Sequence, residues 1–219
     1  DYVRELFTRA SVDADIAIIE GVMGLFDGAD ATTSEGSTAE IARWLDAPVL
    51  LIVNSHGVAR SIAAMVKGFT TFEPDLIVSG VVANQCGSER HEAWLADSLK
   101  SASLPPLVGA VPRGAFLELP SRHLGLVTAD SRVLPECVLG VLADAAEQYV
   151  SIDYVLSIAR GATPLGRAPA ERSAIERRVR IGVARDEAFH FYYQDTFDEM
   201  EIRGCELVWF SPVNDARLP

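Results

Sequence analysis

Short, almost continuously apolar runs alternate along this chain with stretches whose apolar residues recur at helical spacing. Such runs, bounded by turn-forming residues, are typical of strands in a parallel sheet that helices cover on both faces. The pattern predicts strands at residues 14–22, 47–55, 75–85 and 106–112. It predicts helices at the start of the chain and near residues 36–46, 58–70 and 89–102. We therefore expect a doubly wound α/β fold with a mostly parallel sheet.

A second α/β unit is predicted after a further helical segment near residues 131–159. Residues 161–177 are rich in Gly, Pro, Ala and charged residues without a periodic apolar face, and we interpret them as a linker. The linker separates a first domain, residues 1–160, from the beginning of a second, residues 178–219. In that second unit the pattern predicts a strand, a helix closed by Gly204 and another strand.

The acidic character of the chain narrows the classes of ligand. A formal net charge of −12 argues against a general nucleic-acid or membrane-surface binder, whose footprint would be basic. The longest apolar run, APVLLIV, is far shorter than the roughly 20 residues that a membrane helix needs. Cys86, Cys137 and Cys205 lie far apart, without the spacing of a zinc site or a disulfide framework. We expect a cytoplasmic protein with a small-molecule ligand and no nucleic-acid or membrane partner.

Several residues with ligand-binding chemistry follow the predicted strands, where ligands bind in parallel α/β sheets. They are Glu20, Asn54 with Ser55, Asn84, and Pro112 with Arg113. At the end of the first predicted strand, Glu20 could bind Mg²⁺ together with phosphate oxygens, although a capping or ion-paired glutamate fits the same position. Asp27 is a second candidate carboxylate, for metal binding or substrate activation, and a turn-forming role is its alternative. The sequence thus predicts a site at this edge of the sheet.

An acidic strand tip of this kind is usually accompanied by a phosphate loop of the form G-x-x-x-x-G-K-[ST]. The sequence has no such motif, since its lysines, Lys67 and Lys100, do not follow the required glycines. We expect a phosphate-loop strand to lie upstream of Asp1.

Six stretches carry a more specific signal: IEGVMGLFDG, GSTAEIA, VARSIAAMVKGF, GVVANQCGSERHEAWL, PSRHLGLV, and VARDEAFHFYYQD followed by FSPVND. In order and spacing they resemble the cobyrinic acid a,c-diamide synthase family of cobalamin biosynthesis. The resemblance implies an ATP-binding amidoligase domain of the P-loop NTPase type, similar to dethiobiotin synthetase, followed by a class I glutamine amidotransferase-like domain. By that comparison the chain lacks the phosphate-loop unit and most of the second domain, and Cys205 precedes the position of the family's nucleophile.

The resemblance also implies a reaction. The family amidates the a and c side-chain carboxylates of cobyrinic acid through an acyl phosphate, with ATP, Mg²⁺ and either glutamine or ammonia. The same chemistry on hydrogenobyrinic acid or nickel sirohydrochlorin is an alternative, as is a catalytically silent nucleotide-binding regulatory module. A homo-oligomer is possible, and this chain by itself is expected to be inactive.

Candidate residues for that reaction follow from the motifs. They also follow from the negative net charge, because an acidic protein needs local cationic side chains to bind phosphates and carboxylates. Substrate binding is assigned to Arg60 with Ser61 and to Arg122 with His123, with solvated surface arginines as the alternative. Nucleotide binding is assigned to Asn84, Pro112 and Arg113, although Asn84 also suits a turn. Asp27, Ser37 and Thr38 are the catalytic candidates, and helix capping alone would explain Ser37 or Thr38. By the same resemblance, Asp is expected at the position of Asn54, which leaves the role of that position open.

Overall fold

The computed structural model of the chain describes residues 2–116, 136–166 and 179–219. Its helices are α1 Tyr2–Ala10, α2 Thr38–Trp44, α3 Ser61–Phe72, α4 Glu89–Ser101, α5 Glu136–Tyr149, α6 Ile152–Arg160 and α7 Gln194–Ile202. Its strands are β1 Val49–Asn54, β2 Val78–Cys86, β3 Leu107–Pro112, β4 Val179–Ala184 and β5 Cys205–Phe210. They form two compact units, one of Ala14–Leu165 and the other of Asp1–Asp13 with Gly166–Pro219.

The Ala14–Leu165 unit is built on a parallel sheet of order β1-β2-β3. One face of the sheet is covered by α3 and α4, whose Ile62, Val66, Leu95 and Leu99 are fully buried. Across the other face, a smaller cluster of strand valines packs against residues of α5 and α6. Helices on both faces explain why the strands are almost continuously apolar. The predicted α/β class with a parallel sheet is therefore confirmed.

The predicted strands at residues 47–55, 75–85 and 106–112 are confirmed as β1, β2 and β3, but the one at residues 14–22 is wrong. That segment has irregular backbone, and most of its apolar side chains are exposed, at 83% for Ile18 and 88% for Val22. An apolar run becomes a strand only where a neighbour satisfies its backbone N–H and C=O groups. Within the described residues β1 pairs with β2 alone, so this segment has no strand beside it.

The described part of the helical segment predicted near residues 131–159 consists of two helices, α5 and α6. The break lies at Val150, which forms an antiparallel bridge with Gly109, and at Ser151, whose N–H donates to Val108 O over 2.9 Å. These backbone bonds join the junction of α5 and α6 to β3. No helix in the described ranges is both long and apolar enough to cross a membrane.

The second unit pairs β4 with β5 in parallel and packs α7 against them. Phe197 of α7 is buried, and its ring lies 4.8 Å from that of Trp209 on β5. As predicted, α7 ends just before Gly204, which has a φ of +88° that favours glycine. This unit also includes α1, which the sequence placed in the first domain. The Tyr2 hydroxyl of α1 donates to Asp195 Oδ2 on α7 over 3.1 Å.

Candidate functional site

Two buried hydrogen bonds join the carboxyl ends of β1 and β2. Ser55, the residue after β1, is fully buried, and its backbone N–H and its hydroxyl both donate to Asn84 O at 2.8 Å. The register pairs Asn54 with Asn84, so the two predicted asparagines are neighbours on the sheet edge. The structure therefore brings the ends of the first two observed strands together, as the sequence predicted.

Both asparagine side chains bond to nearby backbone. The Asn54 Oδ1 accepts from His56 N–H at 3.0 Å, and the Asn84 Oδ1 accepts from Gln85 N–H at 2.8 Å. Gln85 has a φ of +60°, so the chain turns sharply there. The Asn84 bond agrees with the alternative role of this residue in a turn. Its contact with a nucleotide stays a prediction.

Pro112 and Arg113 lie at the same edge. Pro112 ends β3 and pairs with Cys86 of β2. Arg113 is exposed within a turn that Ala115 N–H closes on Pro112 O at 3.2 Å, and Gly114 supplies its positive φ of +73°. Arg113 therefore lies directly after β3, at the carboxyl edge of the sheet, as the sequence predicts.

Arg60 and Ser61 lie where the β1–α3 loop, residues 55–60, enters α3. Arg60 occupies the N-cap position, where its side chain makes no capping hydrogen bond, and both residues are exposed. Because α3 directly follows β1, this helix start lies on the carboxyl side of the sheet with Asn54. Arg122 and His123 lie outside the described residues, so their roles stay predictions.

Glu20 does not end a strand, contrary to the sequence prediction, because residues 14–22 form none. The carboxylate is exposed, on a segment that contacts the start of α2. A Cβ on the neighbouring Gly21 would come within 2.9 Å of the Thr38 side chain, so glycine allows this close approach. Asp27 folds back in the same way, with its carboxylate over Gly24. No three His, Cys, Asp or Glu residues lie close enough to hold a metal in the described ranges.

Ser37 caps α2. Its hydroxyl accepts from Glu40 N–H at 3.1 Å, and Glu40 Oε2 accepts from Gly36 N–H at 2.7 Å, so the two side chains satisfy backbone donors at the helix start. Ser37 is only 1% exposed, whereas Thr38 is half-buried beside Gly21. The capping alternative is thus observed for Ser37, and a catalytic role for either hydroxyl stays a prediction.

One residue of this edge, His91, is not among the candidates that the sequence predicts. Its imidazole Nδ1 accepts from Gly87 N–H at 3.0 Å, and its Nε2 faces Val58 O at 2.5 Å. These partners are backbone groups, so no pair of side chains marks them in the sequence. The detectable signal is local, because Ser88 caps α4 and places His91 in its first turn.

Asp186 organises the loops of the second unit. Burial raises the pKa of its carboxyl, but four hydrogen bonds together hold that pKa below its ordinary value of 3.8. The donors are Val213 N–H, Ala188 N–H, the Ser211 hydroxyl and Phe189 N–H. The carboxylate thus ties the chain after β4 to the chain after β5.

Curated relatives match this chain from end to end. It is 57% identical over 220 residues to the cobyrinate a,c-diamide synthase of Syntrophotalea carbinolica, in an alignment that covers 100% of the chain and 48% of the relative. Proteins of the same name from Dehalococcoides mccartyi (strain CBDB1) and Archaeoglobus fulgidus are 42% and 40% identical, over 48% and 47% of their lengths and 100% and 99% of the chain. The chain spans about half the length of these relatives. No family model and no solved structure matches it.

Proposed function

We propose that the protein containing this chain is an ATP-dependent ligase that amidates the a and c carboxylates of cobyrinic acid, because the chain belongs to the cobyrinate a,c-diamide synthase family. The observation that carries the proposal is the 57% identity that extends over the whole chain. Identity at this level over every element of both units supports a shared reaction more strongly than a shared fold would.

The chemistry explains why ATP is needed. A carboxylate is a poor electrophile toward ammonia, so its oxygen first attacks the γ-phosphorus of ATP, and ADP leaves. Ammonia then attacks the acyl carbon, loses a proton and displaces inorganic phosphate, which leaves the amide. Phosphoryl transfer of this kind depends mainly on positioning and on cations around the transferring oxygens.

The exposed arginines at the carboxyl edge are suited to such anions. Arg60, together with Ser61, is proposed to bind a substrate carboxylate, and Arg113 is proposed to lie beside the nucleotide. A guanidinium can hold a carboxylate or phosphate through two parallel hydrogen bonds. In a chain of net charge −12, local cations of this kind are needed wherever an anionic ligand binds.

The carboxylates of Glu20 and Asp27 fit Mg²⁺ by their donor chemistry. Both are oxygen ligands on one exposed loop segment, and Mg²⁺ commonly takes one or two protein carboxylates together with phosphate oxygens. When bound, the ion would neutralise phosphate charge during transfer. We propose Glu20 as the metal ligand and assign substrate activation to Asp27, with Thr38 and Ser37 beside them.

The remaining groups of the reaction are proposed for the part of the relatives that this chain does not span. These groups are the phosphate loop of a dethiobiotin synthetase-like domain and the cysteine that releases ammonia from glutamine. We propose that residues 178–219 form the beginning of the glutamine amidotransferase-like domain, and that the protein works in the cytoplasm.

The experiment is an amidation assay on the full-length protein that contains this chain. With cobyrinic acid, Mg-ATP and either glutamine or ammonia, we expect mass spectrometry to detect a monoamide and then a diamide, with one ADP released per amide. Parallel reactions with hydrogenobyrinic acid and nickel sirohydrochlorin identify the preferred tetrapyrrole. Nucleotide binding without ADP release or amide formation on any of the three substrates would contradict the proposal and favour a silent regulatory module.

A further inference from the structure

The middle of the β1–α3 loop, residues 55–60, contacts the side chain of His91 at the start of α4. His91 lies in the first turn of α4, and its Nε2 is 2.5 Å from Val58 O. On the other side of the ring, Gly87 N–H donates to Nδ1 at 3.0 Å. The half-buried imidazole thus joins the connections that follow β1 and β2, at the edge of the sheet that carries the candidate site.

The two contacts fix the protonation of the ring. Nδ1 accepts a hydrogen bond and therefore carries no proton, whereas Nε2 faces a carbonyl oxygen and must donate. His91 is consequently the neutral tautomer with its proton on Nε2. The Cys86 Sγ lies 3.6 Å from the same Nδ1, so the acceptor side of the ring is enclosed by the end of β2. A ring without one donor and one acceptor at these positions would leave Val58 O or Gly87 N–H without its partner.

The attachment bears on Arg60, which follows Val58 by two residues. The loop is fixed at its start by the buried Ser55, and Gly57 has a φ of +70° that gives it a sharp turn. Between that turn and α3, the His91 contact holds the backbone at Val58. Arg60 itself is exposed and makes no capping bond, so the direction of its side chain depends on the backbone that carries it.

We propose that His91 is a positioning residue that orients Arg60 and Ser61 toward the anionic group of the substrate. This inference rests on the proposed function, in which Arg60 binds a carboxylate of the corrinoid. His91 does not touch the substrate but fixes the loop that does. Its loss affects binding more than chemistry, because an ionic contact made equally in the ground state and the transition state changes KM and leaves kcat almost unaltered.

The test uses full-length protein with His91→Phe, which keeps a ring of similar size, and His91→Gln, which keeps one donor and one acceptor. The matched control is His56→Phe, in the same loop. The His56 ring is exposed and makes no hydrogen bond in the described structure, and its backbone N–H bond to Asn54 does not depend on the ring. His91→Phe removes both ring contacts, but only the one with Val58 O holds the β1–α3 loop. We expect the loss of that bond to raise the KM for the corrinoid about tenfold, with kcat changed less than about twofold. The Gln variant should recover most of this loss, and the control should match wild type.

A spectroscopic measurement separates this inference from the proposed function. Long-range ¹H–¹⁵N spectra of wild-type protein should place the His91 proton on Nε2, and the amide signals of Arg60 and Ser61 should shift or broaden in His91→Phe but not in His56→Phe. A wild-type protein without amidation activity would refute the proposed function, and these spectra would still decide on the positioning. A proton on Nδ1, unaltered loop amides, an unchanged KM or a loss confined to kcat would each overturn the inference.

Discussion

The hydroxyl of Ser55 and its backbone N–H both donate to the carbonyl oxygen of Asn84, each at 2.8 Å, at the point where β1 and β2 end. A carbonyl oxygen has two lone pairs, and this one is fully used. The two bonds hold the chain after β1 against β2 just before the β1–α3 loop turns away. The positions of the candidate residues in that loop therefore depend on a buried serine that contacts no ligand in the proposed mechanism.

Replacement of that serine should cost one hydrogen bond. In Ser55→Ala the backbone N–H still satisfies Asn84 O, so we expect a loss of about 1 kcal/mol in the free energy of unfolding of this unit. Native-state hydrogen exchange of peptides from β1 and β2 measures this unit separately from the second one. The control is Ser98→Ala, whose exposed hydroxyl bonds within α4 to Trp94 O, and it should stay within about 0.5 kcal/mol of wild type. Equal effects of the two substitutions would contradict the role of Ser55.

The Ser37 cap can be separated from a catalytic role with two substitutions. Ser37→Ala should lower stability by about 1 kcal/mol, whereas Ser37→Gly should cost only a few tenths, because glycine is tolerated at the N-cap position. Thermal unfolding of both variants checks this order. If the hydroxyl takes part in amidation, both variants lose activity although the glycine variant stays stable. Full activity of Ser37→Gly in the full-length protein would leave the serine with its capping role alone.

Asp186 should make the second unit sensitive to acid. The pKa of its carboxyl is lowered in the folded state, so its stabilising effect is present above the unfolded value of about 3.8 and is lost as the pH falls through the folded value. Asp186→Asn should therefore lower the urea midpoint clearly at pH 6 and much less near pH 3. The ¹⁹F signal of fluorotryptophan at Trp209 follows this unit, and Glu201→Gln, an exposed charge change on α7, is the control. A difference between wild type and Asp186→Asn that does not shrink in acid would show that the carboxylate charge is not involved.

Glu20 gives a test of the proposed metal site. In the full-length protein, Glu20→Gln should reduce Mg²⁺-dependent amidation with free ammonia by about 100-fold or more, since even outer-shell partners of a metal are worth 10- to 100-fold. Glutamine hydrolysis should persist, because the proposed function assigns it to the other domain. Asp15→Asn, an exposed neighbour on the same segment, should behave like wild type. Unchanged amidation in Glu20→Gln would remove this residue from the metal site.

The three observed strands of the first sheet were predictable because burial on both faces leaves an apolar run that a sequence displays directly. The segment at residues 14–22 has the same composition, yet it is not a strand, because pairing depends on a neighbour that the run itself does not encode. The break between α5 and α6 has a similar cause, since Val150 and Ser151 bond to β3 through backbone groups that every residue has.

The candidate site was also predictable only in part. Asn84 and Arg113 lie at the carboxyl edge because the ends of parallel strands share an edge, and this follows from the order of elements alone. The role of His91 did not follow, since Val58 and Gly87 contribute only main-chain atoms to it. Side-chain chemistry reveals which residues could react or bind, whereas the contacts that orient them come from the folded backbone.

The grouping of α1 with the C-terminal unit has a consequence for the order of events on the ribosome. Tyr2 and Asp195, which share a hydrogen bond, are 193 residues apart in sequence. The helix that contains Tyr2 therefore emerges from the exit tunnel well before its partner is translated, and all of Ala14–Leu165 is synthesised in the interval. Because domains generally fold as they are made, the parallel-sheet unit would fold first. During this time α1 would have no partner, and its apolar face would stay exposed. Arrest of translation when residue 165 has just left the exit tunnel would capture this intermediate, to which a chaperone could bind and which could associate prematurely.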